Sequence, residues 1–214
     1  MTSVNFFLER LSSQSNLGIR MFQANLPFVL EILGCLWAIL ILNFVLGHRL
    51  FILGLYPRKI MGIPGIVFSP FLHGNFNHLF FNSIPLFVLA NLVLFGGMPN
   101  FICVTTTIIL LSGIGTWLVG RKGVHVGASG VIMGYWSYLL LNGYRQGTGF
   151  TIALALICVY YFGSMVLNLF PEDAKSSWEM HAFGFAAGLA ATYTCPEVYC
   201  RLFPALCALI ELHQ

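Results

Sequence analysis

The sequence predicts an all-α integral membrane protein built as a six-transmembrane-helix bundle. Two observations carry this prediction: the composition, and six long apolar segments separated by short polar or glycine-rich breaks. Hydrophobic residues make up 58% of the chain and charged residues 8%, with a mean hydropathy of +0.85. Soluble domains carry about 25% charged residues to cover their surface. A chain with this deficit is suited to a lipid environment, where helices satisfy their own backbone groups.

The apolar segments have the length that a helix needs to cross a hydrocarbon core of about 30 Å, roughly 20 residues. In chain order they are residues 26–47, 78–95, 101–119, 127–144, 150–170 and 178–194. Residues 1–25 mix apolar and charged side chains and are expected to form an N-terminal membrane-surface segment. Residues 26–194 form the predicted six-span core, and residues 195–214 a C-terminal tail.

Charge and motif content exclude several function classes. The net charge is only +3, and no run of Lys or Arg exceeds two, so no nucleic-acid partner is expected. No HExxH motif is present, and no metal or cofactor is expected. The lipid bilayer is the expected surrounding, and a multi-pass location in the cell (plasma) membrane is predicted. The oligomeric state stays open.

Ser129 lies between two glycines, Gly127 and Gly130, at the start of the fourth apolar segment. Small flanking residues let a substrate carbonyl approach the backbone closely. A helix N-terminus also offers unpaired N–H donors that stabilise an oxyanion. Ser129 is therefore a candidate nucleophile. The alternative is a small-residue packing patch between membrane helices.

His181 lies near the start of the sixth segment and is the candidate general base, because histidine titrates in the useful range. Two crossings separate the starts of the fourth and sixth segments, so His181 and Ser129 are expected on the same membrane side. Gly184 and Gly188 follow on one helix face and permit close helix contact. The alternative is an interfacial histidine bonded to a backbone carbonyl.

His78 and Asn82 share one face near the start of the second segment, again on the same side of the membrane. Both are candidate donors to a developing oxyanion. His73, five residues before His78, is expected to brace the preceding loop. The alternative is a set of interhelical hydrogen bonds worth about 1 kcal/mol each. His125 is interpreted as a solvated loop residue with no role.

Together these residues form the pattern HxxxxHxxxN, then GxSG, then a histidine followed three residues later by glycine, which resembles the rhomboid family of intramembrane serine proteases. The resemblance covers residues 26–194. It implies a six-span rhomboid-like fold in which Ser129 is the nucleophile and His181 the base, without a third acidic member. It also implies that His78, Asn82 and the Ser129 backbone N–H form the oxyanion hole, with Gly127 beside them. His73, Gly130 and Gly184 would support the site.

The resemblance further implies the nature of the substrate, a transmembrane segment that enters laterally past the second and fifth spans. Phe81 would lie at that entrance, residues 171–177 would cap the site, and the long connection of residues 49–72 would lie partly in the membrane. The chain departs from the family at two points. Many members carry a Trp-Arg pair in the first connection, which is absent here, and many have tyrosine where this chain has Met133.

The sequence therefore predicts a serine endopeptidase that cleaves transmembrane segments of membrane proteins by a Ser-His dyad. One alternative is a catalytically inactive rhomboid-like protein that binds transmembrane helices. Another is a small transporter, which the crowding of polar residues at one membrane face disfavours.

Overall fold

The computed structural model describes residues 3–169 and 177–202. Over these ranges the backbone forms helices, turns and one isolated bridge, with no strand. The α-helices are α1 (Ser3–Val45), α2 (Gly65–Phe68), α3 (Phe76–Val93), α4 (Met98–Val119), α5 (Ser129–Gln146), α6 (Gly149–Phe162) and α7 (Trp178–Leu202).

Five of the six predicted apolar segments lie on one long α-helix each, whereas the fifth corresponds to α6 and the 3-10 helix Gly163–Leu169 that follows it. The short α2 lies in the first connection. Among the described residues, four helical stretches are long and apolar enough to cross a membrane. They are Asn16–Val45, Phe76–Gly96, Met98–Val119 and Gly149–Leu167. The chain is therefore an all-α integral membrane protein. Helices α5 and α7 do not reach this level of apolarity, so the count of six spans stays a prediction.

Helix α5 is less apolar because protein surrounds it. Its buried residues form a continuous run from Gly130 to Leu139, covering every direction around the helix axis. Polar side chains in this run bond to neighbouring helices: Tyr135 Oη pairs with Thr105 Oγ1 at 2.6 Å. Trp136 Nε1 donates to the carbonyl of Cys158 at 3.1 Å. Residues that do not face lipid can be polar when their groups are paired.

Helices α5 and α7 approach each other through glycines. A Cβ at Gly184 would overlap the carbonyl of Gly130, and one at Gly188 would overlap the carbonyl of Gly134. Ser137 Oγ reinforces the contact by donating to the carbonyl of Phe185 at 2.7 Å. Small residues that allow backbones to meet are the usual means of close packing between membrane helices. This contact brings the first turns of α5 and α7 together.

The ends of the chain differ in detail from the predicted segments. Helix α1 is continuous from Ser3 through Pro27 to Val45, so much of the predicted surface segment continues directly into the first span. Helix α7 extends to Leu202, beyond the predicted end of the sixth segment. Residues 203–214, most of the predicted tail, lie outside the described part of the chain.

The connection between α1 and α3 packs against the loop that precedes α5. Leu55 and His125 exchange backbone hydrogen bonds of 3.1 and 2.8 Å. Nearer the site, the carbonyl of Ser69 accepts the N–H of Gly127 at 2.9 Å. The backbone just before Ser129 is thus held by a segment more than fifty residues earlier in the chain.

Candidate active site

A cavity of about 610 Å³ lies at the N-terminal ends of α3, α5 and α7. Four of the predicted site residues line it: His78, Asn82, Ser129 and His181. The remaining lining is mostly apolar and comes from α3, α5, the 3-10 helix after α6 and the residues that precede α3, α5 and α7. Its residues are Gly74, Phe81, Pro85, Val124, Val126, Ile132, Met133, Met165 and Ser177.

Ser129 and His181 are in hydrogen-bonding contact inside this cavity. The distance between Ser129 Oγ and His181 Nε2 is 2.8 Å. With a neutral imidazole that carries its proton on Nδ1, the serine O–H donates to Nε2. The pair then has the geometry in which a histidine accepts the proton of an attacking hydroxyl.

Gly127 shapes the wall beside Ser129. Its φ of +125° is a conformation that glycine adopts readily and other residues rarely. A Cβ at this position would lie 2.7 Å from Cε1 and Nε2 of His78 and 3.7 Å from Nδ2 of Asn82. Both candidate donors therefore lie against the bare backbone that leads into the first turn of α5. The glycine is required by backbone angle and by space.

His78 and Asn82 present N–H groups on this wall. His78 Nδ1 faces the N–H of Gly74 at 3.5 Å, and a ring that accepts there carries its proton on Nε2, the atom beside Gly127. Asn82 Nδ2 is buried and has no hydrogen-bond partner. A buried amide donor without a partner is costly unless a ligand completes it. The two side chains can both donate to a group bound next to Ser129.

His73 is buried, with 1% of its surface exposed, and bonds directly to the backbone before the nucleophile. Its Nε2 accepts the N–H of Ala128 at 3.2 Å. Burial lowers the pKa of His73 from its ordinary 6.5 to about 3, and the nearby His78 adds to this effect. A neutral imidazole is what the contact needs, because a protonated Nε2 could not accept.

Two further residues named from the sequence line the cavity as well. Phe81 is 68% exposed on the outer side of α3. Met133 is buried in the first turns of α5. Of the predicted capping segment, only Ser177 belongs to the described residues. Within those residues no group of three His, Cys, Asp or Glu side chains could hold a metal ion.

The interpretation of His125 as a solvated residue is wrong. Only 5% of its surface is exposed, and both ring nitrogens are paired: Nδ1 with Ser177 Oγ and Nε2 with the carbonyl of Arg121, each at 3.0 Å. The neighbouring Lys122 favours a water-exposed loop on sequence grounds. The loop instead folds between the first connection and the start of α7.

Sequence reasoning also missed the ion pair of Arg121 with Glu179. Arg121 Nε lies 2.7 Å from Glu179 Oε1, and the same oxygen accepts the Arg121 backbone N–H at 3.1 Å. Glu179 is only 4% exposed. One signal could have identified the pair: opposite charges lie just before the fourth and at the start of the sixth apolar segment, which begin on the same side.

Comparison with known proteins agrees with this architecture. A model of the Rhomboid domain matches residues 62–197. Uncharacterized proteins of Mycobacterium tuberculosis and Mycobacterium bovis are each 34% identical over 174 residues, covering 77% of this chain and 72% of theirs. One of Mycobacterium leprae is 31% identical over 174 residues, covering 77% of this chain and 69% of its own. The chain belongs to the rhomboid family.

Proposed function

We propose that this protein is an intramembrane serine endopeptidase that cleaves transmembrane segments of other membrane proteins. The observation that carries the proposal is the 2.8 Å contact between Ser129 Oγ and His181 Nε2, located in a cavity with N–H donors on the adjacent wall. A serine used only for helix packing needs neither a histidine at its hydroxyl nor an unpaired amide nearby.

The residues around the cavity can take the separate roles that acyl transfer requires: nucleophile, general base and oxyanion donors. Ser129 Oγ attacks the scissile carbonyl carbon while His181 Nε2 takes the hydroxyl proton. The negative charge that forms on the carbonyl oxygen is stabilised by the Ser129 backbone N–H, Asn82 Nδ2 and the His78 ring N–H. His181 then gives its proton to the leaving amine, and the C–N bond breaks to leave an acyl ester on Ser129.

Hydrolysis of the ester completes the cycle. His181 takes a proton from a water molecule, which attacks the ester carbonyl. The tetrahedral species collapses, Ser129 Oγ leaves as it regains the proton, and the second product is released with a free carboxyl group. No third acidic residue is assigned to the mechanism. Water can reach the dyad because the cavity is lined at the starts of α3, α5 and α7 and not in the middle of the bundle.

The substrate class follows from the surroundings of the dyad. The cavity is mainly apolar and has the exposed Phe81 at its edge, while the 3-10 helix after α6 contributes Met165. A membrane-spanning peptide that enters between α3 and α6 would exchange lipid contacts for these side chains. We assign all six predicted segments as membrane spans, with α5 and α7 as inner ones, and place the multi-pass protein in the cell membrane.

The test combines active-site labelling with cleavage. Purified protein in lipid is treated with a fluorophosphonate and is separately mixed with a single-span model substrate. We expect labelling and cleavage by the wild type, and neither from Ser129→Ala or His181→Ala. The control is Ser112→Ala, since the Ser112 hydroxyl bonds only to a carbonyl within its own helix, that of Ile109.

Two results would contradict the proposal. Cleavage by a folded Ser129→Ala protein would exclude Ser129 as the nucleophile. A folded wild type that binds the model segment but is not labelled at any pH would favour the inactive, helix-binding alternative.

A further inference from the structure

The two chain segments that lead into Ser129 and His181 are bonded to each other before either residue is reached. Arg121 and His125 lie eight and four residues before Ser129, whereas Ser177 and Glu179 lie four and two residues before His181. Helix α5 begins at Ser129 itself and α7 at Trp178. Any contact between these segments therefore fixes how the two helices start relative to one another.

The first link is the ion pair between the exposed Arg121 side chain and the buried Glu179. Glu179 accepts two hydrogen bonds on Oε1, from Arg121 Nε at 2.7 Å and the Arg121 backbone N–H at 3.1 Å. Arg121 Nη2 reaches Oε2 at 3.4 Å. The carboxylate thus holds the side chain and the backbone of Arg121 at the same time. Such a contact restrains direction as well as distance.

The second link ends on the backbone of His181. The His125 ring joins the carbonyl of Arg121 to Ser177 Oγ. The carbonyl of Ser177 accepts the N–H of His181 at 3.3 Å and that of Met180 at 3.0 Å. Ser177 is thus held through its side chain by the loop before Ser129, while its backbone restrains the first turn of α7.

We infer that Arg121, His125, Ser177 and Glu179, here named the clasp, hold the His181 imidazole on the Ser129 hydroxyl. This inference rests on the proposed function. The four are positioning residues, since they act through the starts of α5 and α7. In other serine hydrolases an acidic residue hydrogen-bonded to the histidine has an orienting role of the same kind.

The same two helices offer a matched control at their other end. Arg145 in α5 donates to the carbonyl of Thr192 in α7 at 2.6 Å, and its guanidinium lies 4.4 Å from the centre of the Tyr193 ring. This contact also joins α5 to α7 by an arginine. It lies more than three helical turns from the dyad, so its loss should affect stability without turning the imidazole.

A thiol in place of the serine reports the orientation of His181 without any need for proteolysis. In Ser129→Cys, an imidazole at hydrogen-bonding distance stabilises the thiolate and lowers the pH at which iodoacetamide alkylates it. Adding His181→Ala removes the effect and sets the reference. We expect Glu179→Gln, added to Ser129→Cys, to move the pH dependence of alkylation toward that reference. If the pKa of the thiol rises by one unit, the alkylation rate at pH 6.5 falls by about tenfold. Arg145→Gln should leave the profile unchanged.

Ser177 provides a second, milder variant that leaves the ion pair of Arg121 with Glu179 intact. We expect Ser177→Ala to shift the profile in the same direction and Ser177→Thr, which keeps the hydroxyl, to restore it. In the protease assay Glu179→Gln should lower kcat and leave KM unchanged, because Glu179 does not line the cavity.

The outcomes separate the two proposals. In one outcome, fluorophosphonate labels the wild type, but adding Glu179→Gln or Ser177→Ala to Ser129→Cys leaves the pH dependence of alkylation unchanged. The clasp inference is then overturned and the proposed function stands. If the wild type is never labelled but both variants shift the profile, the clasp stands and the proposed function fails.

Discussion

Helices α5 and α6 follow each other in the chain and have opposite surroundings. In α5, eleven of 18 residues are buried, whereas Cys158 is the one buried residue of α6. Helix α6 is apolar on every side, as a helix facing lipid must be. Helix α5 carries Ser129, Tyr135, Ser137 and Tyr138, whose polar groups would be costly in hydrocarbon.

The difference shows where a membrane protein can keep reactive groups. The surrounding helices separate α5 and α7 from lipid. This inner pair can therefore carry hydroxyl, imidazole and carboxylate groups. The same difference explains why hydropathy identifies α6 and not α5. A substitution in α5 or α7 should therefore change stability and activity strongly, whereas one on the outer surface of the bundle should change them very little.

Gly188→Ala should have the largest effect on stability. The new methyl group would overlap the Gly134 carbonyl and the Ser137 hydroxyl, so α5 and α7 must separate. Overpacking costs about 1–3 kcal/mol or more, and we expect fluorophosphonate labelling to be lost as well. Thermal unfolding in detergent measures the change. Gly34→Ala is the control, since nothing lies within 4 Å of that position; an equal loss there would contradict the comparison.

Asn82→Ala should leave the fold intact and slow the chemical step. Loss of one donor to an oxyanion typically lowers kcat by about 10²–10³-fold. Because Asn82 Nδ2 has no protein partner, its removal should not decrease the free energy of unfolding. Single-turnover cleavage separates the two effects. A variant that unfolds earlier but cleaves at the wild-type rate would show that the amide serves packing alone.

His73 should make stability depend on pH. The pKa of this imidazole is about 6.5 in the unfolded chain, the ordinary value for histidine, and about 3 in the folded protein. Between these values the unfolded chain binds the proton and the folded one does not, so stability falls as pH drops through this window. The slope is at most about 1.4 kcal/mol per pH unit. His73→Gln, whose amide oxygen can still accept the Ala128 N–H, should flatten this part of the profile, as unfolding midpoints at pH 7.5, 6 and 4.5 would reveal.

Leu156→Ala on α6 should have the smallest effect. Leu156 is 64% exposed and on the outer surface of the bundle, where lipid replaces whatever contact is lost. We expect a change in unfolding free energy within about 0.5 kcal/mol and normal labelling. A large loss would mean that protein, and not lipid, covers this face of α6.

The sequence was sufficient for the family, the helical segments and the residues that meet at the cavity. Successive spans cross the membrane in opposite directions, so the second, fourth and sixth segments begin on the same side. The sequence alone could therefore group four residues at that side: Ser129, His181, His78 and Asn82. The buried position of His125 could not be found this way. His125 has neighbours distant in sequence, Leu55 and Ser177, and nothing local distinguishes it from a solvated histidine.

Helix α1 is longer than a bilayer is thick. Its 43 residues extend about 65 Å at 1.5 Å per residue, against a hydrocarbon core of about 30 Å. Gly18 contacts Phe150 and Phe22 packs on Phe87, so this part of α1 lies at the end of the bundle remote from Ser129. The helix backbone that precedes Gly18 continues beyond these contacts, away from Ser129. Under the proposed function, a partner that binds this extension would do so at the end of the molecule opposite to the cavity and would leave the dyad accessible.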